Sequence, residues 1–190
     1  DLTNATGKVS FKDKDGVTYT REYIASNPDR VVAARYSASE AGKISLRFTM
    51  KSGSVTASTS YANAEGTFSG KLETVSYNAR FKVVPTGGTL TTTDEGIEVK
   101  GADEVLVILA GGTDFDAYSK SYVSNTAELA STIQARINDA AAKTWTDLYA
   151  AHVADYQKYF ARVDFQLDGT KNTMPTDSLV DHYNSGNGAD

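Results

Sequence analysis

Lys43-Ile44-Ser45-Leu46-Arg47-Phe48-Thr49-Met50 sets apolar side chains at every second position. Successive side chains of an extended strand point to opposite faces, so this spacing predicts a strand with one dry and one wet face. Tyr77-Asn-Ala79-Arg-Phe81-Lys-Val83-Val84 repeats the pattern downstream. Upstream, Val17-Thr-Tyr19-Thr-Arg21-Glu-Tyr23-Ile24 is rich in the β-branched and aromatic residues that suit a pleated, half-buried surface. Asp13-Lys-Asp15-Gly16, Lys51-Ser-Gly53-Ser54, Thr86-Gly-Gly88 and Asp94-Glu-Gly96 punctuate these runs at hairpin spacing. The longest apolar run, Val105-Leu-Val-Ile-Leu-Ala110, has the length of a buried strand and is far short of the ~20 residues of a membrane span. Residues 1–120 are therefore expected to form a mainly antiparallel β-sandwich.

Near Asn125 the period changes. Leu129, Ile133, Ile137 and Ala140 recur at helical spacing, with Asn125 as the expected N-cap and Glu128 three residues on. A second helix is expected from near Thr144, with Asp147 in its first turn. It carries Trp145, Leu148, His152, Tyr156, Tyr159 and Phe160 along one broad face. A brief strand over Val163 to Leu167, a polar turn, a short helix from Thr176 and a loop-like tail from Asn184 to Asp190 complete residues 121–190, a helical linker.

Composition narrows the function. The 190 residues suit one domain, or one domain plus an appendage, and a chain of this size buries roughly 70% of its unfolded surface without metal or disulfide. The net charge of -5 with scattered Lys and Arg argues against a nucleic-acid partner. Cysteine is absent, which excludes thiol catalysis and iron–sulfur clusters.

The run His152-Val-Ala-Asp155-Tyr156-Gln157-Lys-Tyr159-Phe160-Ala-Arg162-Val163, followed by Pro175-Thr176-Asp177-Ser-Leu179, resembles the linker behind the N-terminal β-sandwich of family 95 glycoside hydrolases, the inverting α-L-fucosidases. Earlier pieces run in the same order: Gly16-Val17-Thr18-Tyr19-Thr20-Arg21-Glu22-Tyr23, Ala25-Ser26-Asn27-Pro28-Asp29-Arg30-Val31, and Gly101-Ala102-Asp103 through Leu109-Ala110-Gly-Gly-Thr113-Asp-Phe115. The resemblance implies a super-sandwich whose opening strands lie outside this chain, so bare strand edges are expected. It also implies that the linker leads into an (α/α)6 barrel of the same polypeptide. In that family the barrel holds the catalytic Glu and the Asn and Asp side chains that activate water. No residue here matches that motif, so no catalytic, cofactor-binding or metal-binding residue is assigned and no cofactor is expected. Trp145, His152, Asp155, Tyr156, Phe160 and Arg162 are expected to pack the linker against the sandwich or the barrel. Fucosylated glycans are the partner the resemblance suggests, with L-galactosides as the alternative. Periplasmic, secreted or cell-surface localisation follows from such substrates. A stand-alone carbohydrate-binding or cell-surface module is the competing reading.

The residues themselves offer little further chemistry. Asp114 and Asp116, flanking Phe115 after the apolar run, are read as a solvated loop rather than as the acid and base of a hydrolase. His152 with Asp155 and Tyr156 lies on one helical face, read as a packing face. His152 and His182, the only histidines, are too far apart in sequence to suggest a metal site. Asp13-Lys-Asp15-Gly16 is read as a hairpin turn, not a calcium loop. Tyr19, Tyr23, Tyr61 and Tyr77 could stack on sugar rings or pack against neighbouring structure.

Overall fold

The computed structural model describes residues 1–51, 53, 57–164 and 173–187. Among the described residues, ten strands fall into two antiparallel sheets: β1 Gly7–Lys12, β2 Thr18–Ser26, β3 Val31–Ala38, β4 Ile44–Phe48, β5 Ser58–Ala62, β6 Glu65–Lys71, β7 Ser76–Thr86, β8 Thr89–Thr93, β9 Gly96–Ala102 and β10 Glu104–Thr113. The larger sheet has the order β1-β2-β3-β10-β7-β6-β5, and the smaller has the order β4-β9-β8. The helices are α1 Leu129–Ala141, α2 Trp145–Phe160 and α3 Thr176–His182. The architecture is thus a β-sandwich with a helical part behind it.

Three layers result, and β10 lies in the middle one. Val105 joins Ile44, Phe81, Val83, Ile97 and Val99 in the core between the two sheets. Leu106, Ile108 and Ala110 join Ile24, Ala33, Ile133, Ile137, Ala140 and Leu148 in a second core, beneath α1 and α2. A strand covered on both faces needs apolar residues at successive positions, which is why Val105–Ala110 reads as an unbroken run. The alternating stretch at 44–50 turns Ile44, Leu46, Phe48 and Met50 toward the inter-sheet core.

The two sheets differ in width. β4 packs on β3, β9 on β7 and β6, and β8 on β5, so β1 and β2 extend past the smaller sheet. All six residues of β1 are exposed, although Val9 and Phe11 alternate with Lys8, Ser10 and Lys12 as in a half-buried strand. β1 is thus an exposed edge strand of the larger sheet, with Val9 and Phe11 partly open to solvent.

Several local expectations need correction. Asn125 does not cap the helix: it is left-handed at φ 55°, makes no side-chain cap bond and precedes a 3-10 turn, Thr126–Glu128. The Thr126 hydroxyl is committed instead to Asp114, at 2.6 Å. Val163 and Asp164 are not in a strand, since Val163 N–H bonds back to the Phe160 carbonyl at 3.2 Å as the helix unwinds. The rest of that expected strand, through Leu167, lies outside the described residues. The tail read as a loop continues α3 as a π-type turn, Tyr183–Asn187, interrupted where Gly186 takes φ 80°. The start of α2 is as expected: Thr144 and Asp147 close a reciprocal capping box.

Candidate functional site

The linker residues singled out in the sequence gather on α2, where they meet the beginning of the chain. Leu148 and His152, one turn apart, are buried. One turn further, Tyr156 follows on the same face, and its ring stacks between His152 (6.3 Å, 16°) and Phe160 (5.0 Å, 23°). This ladder puts polar atoms opposite four consecutive carbonyls. The Tyr156 hydroxyl donates to the Leu2 carbonyl at 2.8 Å, and the Gln157 amide donates to the Thr3 carbonyl. His152 Nε2 lies 3.0 Å from the Asn4 oxygen and 3.1 Å from the Ala5 oxygen. Both partners are acceptors, so Nε2 must carry the hydrogen, in the neutral tautomer or in the imidazolium. A short segment with no strand partner of its own at residues 2–5 is thereby fixed by side chains.

Asp155, on the same side of α2, bonds the turn between β2 and β3 instead. Its Oδ2 accepts from the Asn27 amide at 2.9 Å, and its Oδ1 lies 3.4 Å from Lys158. The Asn27 bond, supported by Lys158, holds its carboxyl below the usual carboxylate range. Ala25, Asn27, His152, Asp155, Tyr156 and Tyr159 line a shallow cavity of about 280 Å³. Trp145 stays near the sheet, tilted against Tyr149 at 6.1 Å and packed on the helical core. Phe160 is 40% exposed, and Arg162 lies over the exposed Tyr159 ring at 5.2 Å. The broad face is therefore divided: Trp145, Leu148 and His152 pack inward, whereas Tyr159 and Phe160 are open to solvent.

Asp114 overturns its reading as a solvated residue. It is buried; Oδ1 accepts Ser76 N–H at 2.8 Å and Oδ2 accepts the Thr126 hydroxyl at 2.6 Å. These bonds, Thr126 first, hold its carboxyl below the ordinary range against the opposing effect of burial. Both partners favour the charged form, so Asp114 is an anchor for the strand end rather than a proton donor. Asp116 is similarly lowered, chiefly by the Tyr118 N–H bond. A group whose folded pKa lies below its unfolded value near ~3.9 contributes stability above that pH and loses it as pH falls through the folded value. Thermal melts should therefore show Asp114→Asn less sensitive than the parent to acidification below about pH 4. Parallel losses in the two proteins would contradict this assignment.

The tyrosines considered for sugar stacking are largely engaged with other rings. Tyr19 stacks on Phe11 at 5.3 Å, and the Arg21 guanidinium covers Phe11 at 5.3 Å. Tyr23 meets Tyr36 edge-on, and Tyr77 pairs with Phe68. Tyr61 points between the sheets, its hydroxyl accepting Met50 N–H at 2.7 Å. Asp13 and Gly16 form a hairpin turn: Asp13 Oδ1 accepts the N–H groups of Asp15 and Val17, and Gly16 takes φ 88°. Among the described residues, no three His, Cys, Asp or Glu side chains come together to hold a metal ion, and no helix is long and apolar enough to cross a membrane.

The chain is thus a two-sheet sandwich that feeds a helix pair, with an anchored strand end between them. Residues 1–118 match the family model described as the glycosyl hydrolase family 65 N-terminal domain, and the chain belongs to that family. It is 28% identical to α-L-fucosidase 2 of Arabidopsis thaliana over 90% of its own length, and it spans 23% of that protein. A solved structure described as a kojibiose phosphorylase from the human microbiome shares the fold with a TM-score of 0.58 at 10% identity, over 84% of this chain and 22% of that one.

Proposed function

We propose that this chain is the non-catalytic sandwich and linker of an inverting, family 95 α-L-fucosidase-like hydrolase whose chemistry resides in an (α/α)6 barrel of the same polypeptide. The observation that carries this reading is similarity to an α-L-fucosidase across 90% of the chain but only 23% of the relative. The geometry supports a bracing role. α2 is anchored at one end by Leu148 and His152, and the other end presents Tyr159, Phe160 and Val163 uncovered. These side chains are where the barrel would seat. The exposed edge strand β1 would pair with the further strands that the resemblance implies. Fucosylated glycans outside the cytoplasm are the substrate class, with L-galactosides as the close alternative.

Reading the gene on both sides of this segment tests the proposal. The expected result is a frame running past Asp190 into several hundred helix-rich residues with paired Asn and an acidic Glu. NMR of the first-formed sugar released by that polypeptide should then show the inverted anomer. A frame that closes near Asp190 would sink the hydrolase reading in favour of a stand-alone binding or structural module.

A further inference from the structure

We infer that the cavity between the loop after β10 and the first turns of α1 is a binding site for a neutral pyranoside. Beyond Thr113 the chain forms a tightly bonded loop. Phe115 and Val123 make a lone β-bridge, Asp116 N–H bonds the Tyr122 carbonyl at 2.9 Å, and Ser124 N–H bonds the Asp114 carbonyl at 2.9 Å. Buried Asp114 ties the base of this loop to β7 and to the 3-10 turn. A loop held this way presents its rings in a fixed geometry, which lowers the ordering cost of binding. Those rings are Phe115, Tyr118 and Tyr122, at 58%, 100% and 61% exposure.

Phe115 also borders a cavity of about 240 Å³ lined by Ser124, Asn125, Glu128, Thr132 and Arg136. Glu128, Thr132 and Arg136 are spaced by four residues, so they form one row along the helix, about 6 Å from one to the next. Glu128 and Arg136 stand at opposite ends, too far apart to pair. Arg136 is half-buried and has no hydrogen bond or ion pair among the described residues, and the Glu128 carboxylate has none either. The row thus offers an acceptor, a hydroxyl and a five-donor fork, facing an apolar ring. A sugar hydroxyl both donates and accepts, and the C–H face of a pyranose suits an aromatic ring. An anionic ligand would meet the Glu128 carboxylate, so the site fits an uncharged sugar. This inference rests on the carbohydrate-active reading of the chain, and it adds a site that reading does not supply.

The test is an NMR titration of the chain with methyl α-L-fucopyranoside and, separately, methyl α-D-glucopyranoside, at up to roughly ten millimolar, where weak complexes fill. Amide shifts confined to residues 112–136 are expected from at least one of them. Arg136→Met and Phe115→Ala should each weaken that binding about tenfold or more, as loss of a charged hydrogen bond or of ring contact would. Phe11→Ala on the edge strand β1 should leave it unchanged. Dispersed amide spectra of the variants establish that they are folded. Absence of shifts with both sugars, or shifts undiminished in both Arg136→Met and Phe115→Ala, would overturn the site. Fucoside hydrolysis by the longer polypeptide is a separate readout: intact hydrolysis without this binding sinks only the present inference.

Discussion

Leu148→Ala is expected to destabilise the chain by about 2–5 kcal/mol, whereas Phe160→Ala, three turns along the same helix, should cost less than ~1 kcal/mol. Leu148 is fully buried among Ile133, Ile137 and Ala140 of α1 and the apolar face of the larger sheet. Truncating it removes transfer free energy and leaves a void between the helices and the larger sheet that cannot fully collapse. Phe160 is 40% exposed and rests mainly on the Tyr156 ring, so its loss opens no cavity. Chemical denaturation of the two variants measures the contrast. A Phe160→Ala loss of about 3–5 kcal/mol would place that ring in a core and remove it from the surface offered to a neighbouring domain. If Leu148→Ala cost under ~1 kcal/mol, α2 would not be docked at all.

Gly66→Ala should destabilise by about 1–3 kcal/mol or more, although alanine is the smallest side chain that could be added. Gly66 pairs with Phe81 across β6 and β7, and a Cβ built on it would lie 2.1 Å from the Phe81 ring. The ring cannot retreat easily, because Phe81 is buried between the sheets and flanked by Phe48 and Tyr61. Glycine is required here by the space it leaves, not by its backbone angles. Thermal melts read the effect directly, and an unchanged midpoint would show that Phe81 does not lie over Gly66.

The sandwich was legible in the sequence where burial is one-sided or complete. Ile44, Leu46, Phe48 and Met50 show period two because only one face of β4 is dry, and Val105–Ala110 shows none because β10 is covered on both. Ile133, Ile137 and Ala140 announce α1 for the same reason. What stayed hidden depends on contacts distant in sequence. The acceptors of His152, Tyr156 and Gln157 are backbone carbonyls about one hundred and fifty positions earlier, and a carbonyl has no residue signature. Asp114 reads like any loop aspartate until β7 and the 3-10 turn are brought to its two oxygens. The hairpin between β5 and β6 was also hidden, because Asn63 and Ala64 both take positive φ without the glycine that usually marks such a turn. The row of Glu128, Thr132 and Arg136 becomes a site only when Phe115 is folded opposite it.

We propose that this chain supports a hydrolase without performing the hydrolysis. Incubating it alone with an aryl α-L-fucoside, beside the longer polypeptide that contains it, tests this most directly. Release of the aryl group is expected from the longer polypeptide, and none above background from the chain. Turnover by the chain alone, lost on substitution of one of its own carboxylates, would contradict it.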